Sequence, residues 1–247
     1  MSESEELRLL PNDRVLRYTY RERLMHWAAG LSYLYLLLTG LAFWHPWFFW
    51  LSIVLGGATL SRMVHPWVGL IFTLAVFWMY RIWSTQMREA PGDKEWWHSI
   101  RHYVRNEDDE MPAEDRFNPG QKILFWGFFW CGIVLFLTGL VLWRPNWVPF
   151  SLYGLRLVAV FLHPVAALFT IALFMIHVYM GVAVERGAFG SMVRGDVSRT
   201  WAQRFHRAWY ERVARNSGEP PARMAPTPTP PPPVRPAPPA LPANDRP

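Results

Sequence analysis

The chain has 247 residues, 51% of them hydrophobic, with 15 Trp, 16 Phe and a formal net charge of +6. Its single cysteine, Cys131, excludes an intrachain disulfide, a CxxCH haem attachment and an iron–sulfur cluster held by this chain alone, each of which needs more cysteines. The basic excess flanks long uncharged runs, which is the pattern of a membrane protein and not of a nucleic-acid binder.

Residues 1–23 are polar, carry Arg8, Arg14, Arg17, Arg21 and Arg23, and lack a cleavable signal-peptide pattern, so they are expected to remain as a cytoplasmic N-terminal segment. Residues 24–61, 63–80, 123–143 and 157–184 contain no Asp, Glu, Lys or Arg. A hydrocarbon core of roughly 30 Å takes about 20 apolar residues as a helix. The runs lack the alternation of barrel strands, so helices must satisfy the backbone in lipid. His45-Pro46 divides the first run, because proline disfavours helix through the residue before it. The spans are therefore expected at about 24–44, 63–80, 123–143 and 157–184, with 47–60 lying along the interface. The fold class is an all-α integral membrane bundle of four helices.

Basic residues orient it. Segments 8–23, 81–122 and 185–215 hold 5, 7 and 7 Lys/Arg, whereas Arg62, Arg144 and Arg156 stand alone on the other side. Four crossings put every basic-rich segment on one side, and the positive-inside rule makes that the cytoplasm, with both termini inside. The membrane domain is expected over 24–215. Residues 216–247 (PTPTPPPPVRPAPPALP within them) favour extended conformations and offer little to bury, which predicts a disordered cytoplasmic tail; a docking segment for a proline-reading partner is the alternative.

Four of the eight histidines lie inside spans: His26, His65, His163 and His177. Polar groups at membrane depth are costly and point to function. Following chain direction, His26 and His177 fall toward the cytoplasmic face, and His65 and His163 toward the outer face. His163 and His177 are 14 residues apart, about 21 Å of rise, and end only about 40° apart around the helix. Two ligands on one helix, each opposed by a histidine from another helix, predict two b-type haems stacked across the membrane. Gly30, Gly69 and Gly181 follow ligands by four positions, as does Ala167, where a porphyrin needs close backbone. Gly40 lies on the His26 face, and Thr39-Gly40-Leu41 is repeated as Thr138-Gly139-Leu140. Small-residue helix packing is the alternative reading of these positions. His45, His98, His102 and His206 lie outside the spans and are expected at the surface.

With those residues placed, RERLMHW around His26, RMVHPWVG around His65, FLHPV at His163 and MIHVYMGV at His177 resemble the cytochrome b (gamma) subunit of membrane-bound formate dehydrogenases over about residues 15–210. The histidine intervals of 39, 98 and 14 residues are similar too. The resemblance implies that His65 and His163 hold an outer haem b and His26 and His177 an inner one. It implies an iron–sulfur subunit and a molybdopterin catalytic subunit on the outer side, and a quinone, menaquinone or ubiquinone, reduced near the cytoplasmic face. Cytochrome b subunits of nickel–iron hydrogenases are related, which leaves the donor open. In FNPGQK, Asn118 reads from the residues alone as a helix N-cap with Pro119 at the first helical position. The resemblance instead implies that Asn118, Gly120 and Gln121 line the quinone pocket. A haem-free membrane anchor would not need depth-matched histidine pairs, and a proton transporter usually has intramembrane carboxylates that these spans lack.

Overall fold

In a computed structural model that describes residues 9–105 and 111–218, the described residues open with a hairpin of β1 (Leu9–Leu10) and β2 (Arg14–Leu16). Its turn uses Asn12 and Asp13 at φ 62° and 60°, left-handed values that Asn and Asp tolerate better than most residues. Thr19 then caps α1 (Tyr20–Trp44) in a reciprocal capping box with Glu22. That cap starts the helix one turn ahead of the uncharged run. His45 is extended, as expected before Pro46, and ends it. A 3-10 turn, Pro46–Phe48, and the short α2 (Phe49–Val54) follow. Trp47 and Trp50 there are 84% and 57% exposed, in keeping with aromatic rings at a membrane interface.

Helix α3 (Ala58–Trp83) begins after Gly56 and Gly57, both at positive φ, and so takes in Arg62 ahead of the apolar run. The connection to the third span carries α4 (Asp93–His98) and α5 (Ile100–Val104). Helix α6 (Pro119–Trp143) starts at the Asn118 cap, and α7 (Gly154–Tyr179) continues through a π-turn, Met180–Val184. After it come α8 (Ala188–Arg194), β3 (Asp196–Ser198), α9 (Arg199–Phe205) and α10 (Arg207–Asn216). The proline-rich segment read as a tail lies, beyond Gly218, outside the described residues, as do the first eight.

Among the described residues, four helices are long and apolar enough to cross a membrane: Tyr20–Trp44, Ala58–Trp83, Pro119–Trp143 and Gly154–Val184. Their outward side chains, such as Leu74 and Phe161 at 70% and 68% exposed, suit lipid contact. α1 packs along α3 and α6 along α7, and α3 against α6 joins the two hairpins. Tyr33 Oη donates to Thr170 Oγ1 (3.2 Å), tying α1 to α7.

At one end a clasp closes the bundle. β2 pairs antiparallel with β1 on one side and with β3 on the other, in the register Arg14↔Ser198, Val15↔Val197 and Leu16↔Asp196. The segment before the first span and the segment after the fourth therefore lie at the same end, which requires an even number of crossings. Val15, Val197, Trp201, Trp209 and Val213 form the clasp's apolar core. His206 is completely buried beside it, which corrects the surface position expected from its place outside the spans. Arg17 Nη2 donates to His206 Nε2 (2.8 Å) and His206 Nδ1 donates to the Asp115 carbonyl (2.6 Å). Burial, helped by the Arg17 charge, pushes the His206 pKa well below the ordinary histidine value, so the ring is a neutral structural link.

Candidate functional site

The bundle brings the intramembrane histidines together in the expected couples. His26, near the start of α1, lies with its ring centroid 5.8 Å from that of His177 on α7. Trp27 and Phe128 stand edge-on to this pair, at 5.7 Å from His26 and 6.5 Å from His177. At the other end of the bundle, His65 on α3 and His163 on α7 stand close to one another. Phe43 stands edge-on to His65 at 5.6 Å. One helix thus supplies a member of each couple, as the 14-residue interval requires.

Two threonines fix the second couple. His65 Nδ1 is 2.6 Å from Thr39 Oγ1, and His163 Nδ1 is 2.8 Å from Thr138 Oγ1. The glycine after each threonine brings the backbone up to the ring: a Cβ at Gly40 would be in ordinary contact with it, 3.9 Å from His65 Cε1, and one at Gly139 would sit 3.4 Å from His163 Cε1. The repeated Thr-Gly-Leu element therefore meets the histidines. Gly30, Gly69 and Gly181, by contrast, face open space, with nothing within 4 Å of an added Cβ.

A polar cluster caps the His26/His177 end. Asn118 accepts from Gln121 N–H (2.9 Å), and the Gln121 side chain accepts from Asn118 N–H (3.2 Å), completing a capping box. The N-cap role is thus realised. Asn118 is 1% exposed, and its Nδ2 donates to Glu185 Oε1 (2.9 Å), which Tyr103 Oη also reaches (2.7 Å). Gln121 Nε2 points to Glu185 Oε2 at 3.4 Å. Gly120 is packed: a Cβ there would be 3.4 Å from both Asn118 Oδ1 and Trp96 Cη2. Glu185 is delivered by the π-turn, whose last bond runs from Glu185 N–H to the Met180 carbonyl (2.9 Å). Close by, Glu114 accepts from Trp96 Nε1 (2.5 Å) at a cleft of about 150 Å³ also lined by Gly92, Asp93, Phe117 and Pro119. Burial first, and then the charge of Glu185, raise the Glu114 pKa to about 8. The same two influences push the Tyr103 phenol up.

The sequence reading missed Glu114, Glu185 and Tyr103. Its one available signal was that Glu185 is the first charge after the uncharged run 157–184. It also missed Glu22, which is 1% exposed, pairs with Arg116 Nη2 at 2.7 Å and accepts from Trp83 Nε1 at 2.6 Å.

Four apolar crossings with histidine couples at two levels define a membrane cytochrome of type b. The model of the prokaryotic cytochrome b561 family matches residues 17–195, and the chain belongs to that family, as a multi-pass bacterial membrane protein binding haem b. Within it, the chain is 34% identical over 207 residues to the cytochrome b556(fdo) subunit of formate dehydrogenase of Escherichia coli (strain K12), covering 83% of this chain and 96% of that protein. It is 26% identical over 199 residues to the nitrate-inducible cytochrome b556(Fdn) subunit of the same strain, covering 81% and 91%. To the formate dehydrogenase cytochrome b556 subunit of Haemophilus influenzae it is 26% identical over 202 residues, covering 81% and 84%.

The residues present fit a haem. His26 Nδ1 is buried and has no hydrogen-bond partner among the described residues, although buried polar atoms are nearly always satisfied. The four imidazoles carry the donor type that suits iron. The open space beside Gly30, Gly69 and Gly181 lies on the faces of their histidines, where a flat macrocycle needs it.

Proposed function

We propose that the chain is the di-haem membrane subunit of a formate dehydrogenase complex, carrying electrons from an iron–sulfur partner, itself fed by a molybdopterin catalytic subunit, across the bilayer to a quinone. His65 and His163 bind one haem b on the outer side, and His26 and His177 bind the other on the cytoplasmic side. The observation that carries this reading is the presence of two histidine couples at different depths that share α7. Bound haem supplies one-electron transfer at each level. The basic residues gathered at the clasp end support a cytoplasmic placement for that end and for both termini.

Quinone reduction consumes two electrons and two protons, and the cluster at the His26/His177 end can hold protons. Glu114, with its pKa raised to about 8, is largely protonated at neutral pH, and its cleft gives it access to water. Asn118 and Gln121 orient Glu185 by hydrogen bonds, so in this reading they act on the quinone site partly through that carboxyl. Gly120 keeps the backbone at the start of α6 close to Trp96. An electron moving inward across the whole membrane works against about 2.3 kcal/mol per 100 mV, so the donor must be strongly reducing.

Reduced-minus-oxidised spectra of His65→Ala, His163→Ala, His26→Ala and His177→Ala variants test the assignment. Two haems per wild-type chain are expected, with the first two variants losing one haem and the last two losing the other. Gln121→Ala should slow quinone reduction while both haems are still reduced by the donor. One haem per wild-type chain, or intact spectra in all four variants, would overturn the reading.

A further inference from the structure

The two halves of the bundle repeat a device. In α1 and α6 the element Thr-Gly-Leu occurs at 39–41 and 138–140, and in α3 and α7 the element His-Pro occurs at 65–66 and 163–164. Each threonine meets the histidine of the helix after it, across 26 residues in the first half and 25 in the second.

A threonine hydroxyl has one proton to give. Thr39 Oγ1 lies 2.8 Å from the Tyr35 carbonyl, and Thr138 Oγ1 lies 2.6 Å from the Val134 carbonyl. A carbonyl can only accept, so each hydroxyl proton goes there. The same oxygen must then accept from the imidazole, which puts the ring proton on Nδ1. The relay runs from His Nδ1–H to Thr Oγ1–H to the backbone carbonyl, and it leaves the Nε2 lone pair free. Thr39 is 0% and Thr138 9% exposed, so water does not compete effectively for either hydroxyl. His26 differs, because its Nδ1 is buried without a hydrogen bond from any described residue.

We propose that Thr39 and Thr138 are paired positioning residues that lock His65 and His163 in the Nδ1–H tautomer, raise their donor strength toward iron, and so set the potential of that haem apart from the one at His26 and His177. This rests on the ligand assignment proposed above. A hydrogen bond from the distal ring N–H makes a metal-bound imidazole a stronger donor. A stronger donor favours the ferric state, so the two relays lower the potential of the His65/His163 haem. The other haem lacks this relay at His26.

The test is a potentiometric titration of the full complex in its native membrane, followed in the haem optical bands, with low-temperature EPR of the oxidised haems. Thr39→Val and Thr138→Val remove the hydroxyl at nearly constant volume, and Thr39→Ser and Thr138→Ser restore it. Each valine variant should move one midpoint positive and shift its g-values, and the serine variants should return both to wild type. The second haem should not move. Unchanged midpoints and g-values in both valine variants overturn the proposal, as does a serine variant that behaves like valine. If the valine variants lose a haem altogether, serine variants that keep it at the wild-type midpoint support the lock, and serine variants that lose it refute it. The ligand assignment fails separately, if His65→Ala and His163→Ala retain both haems.

Discussion

Replacing Arg116 with methionine breaks the network that joins the loop before α6 to the first two spans. Arg116 is 4% exposed and donates to Glu22 Oε1 at 2.7 Å, to the Arg17 carbonyl at 2.6 Å and to Gln86 Oε1 at 3.0 Å. Methionine keeps most of the volume but leaves the Glu22 carboxylate buried without this counter-charge. Breaking a buried pair from one side typically costs about 3–5 kcal/mol. Glu22 still accepts from Trp83 Nε1 and from Thr19 N–H at 2.7 Å, so the low end, about 3 kcal/mol, applies. That is roughly a 100-fold shift of the folding equilibrium. Glu22→Gln in the same background removes the stranded charge and keeps one of those two bonds, since its NH2 cannot accept, so the double variant should recover part of the loss. The assay is denaturant titration in mixed micelles, read by far-UV circular dichroism, for wild type, both single variants and the double. An Arg116→Met variant within about 0.5 kcal/mol of wild type, the range of ordinary surface substitutions, would refute the reasoning. So would a double variant whose loss is the simple sum of the singles, since that means no coupling.

Glu114 gives a pH dependence of defined sign. Its pKa is raised on folding, so its contribution is full below the ordinary carboxyl value of 4.5 and is lost as pH rises toward about 8. Micelle stability should therefore fall less between pH 5 and pH 8 in Glu114→Gln than in wild type, and equal slopes would contradict the raised pKa. For orientation, in a Cys131→Ser background, a cysteine at Trp47, which is 84% exposed, should react with an impermeant reagent from the periplasmic side, whereas one at Arg101 should not. Labelling of position 101 from outside would invert the topology.

What the sequence made legible was whatever local pattern and helical arithmetic control. Uncharged run lengths gave four crossings, His45-Pro46 marked the end of α1, and Asn118-Pro119 marked the start of α6. The 14-residue interval put His163 and His177 on one face, and chain direction then coupled them to His65 and His26. The rest depended on contacts between residues far apart in the chain. His206 looked like a surface residue because what buries it is Arg17 and the Asp115 carbonyl, 189 and 91 residues away, together with the rings of Trp201 and Trp209. The Asn118–Glu185 bond spans 67 residues and Arg116–Glu22 spans 94, and no local signal encodes either pairing. The Thr-Gly-Leu repeat was visible, but its purpose was not, because a sequence does not say which ring a hydroxyl meets.

The clasp also sets an order of events during synthesis. Arg14 bonds Asp196, 182 residues later, and β2 stays half-paired until β3 leaves the ribosome. At about 5–20 residues per second, translation separates the two strands by roughly 10–40 s. During that interval the first helical hairpin is already in the bilayer while Val15 waits, without the Val197 and Trp209 that bury it in the finished protein. Closure of the three-stranded sheet is thus a completion signal, given only by a chain translated past its last span, and a prematurely terminated product would display an unfinished strand edge to quality-control proteases.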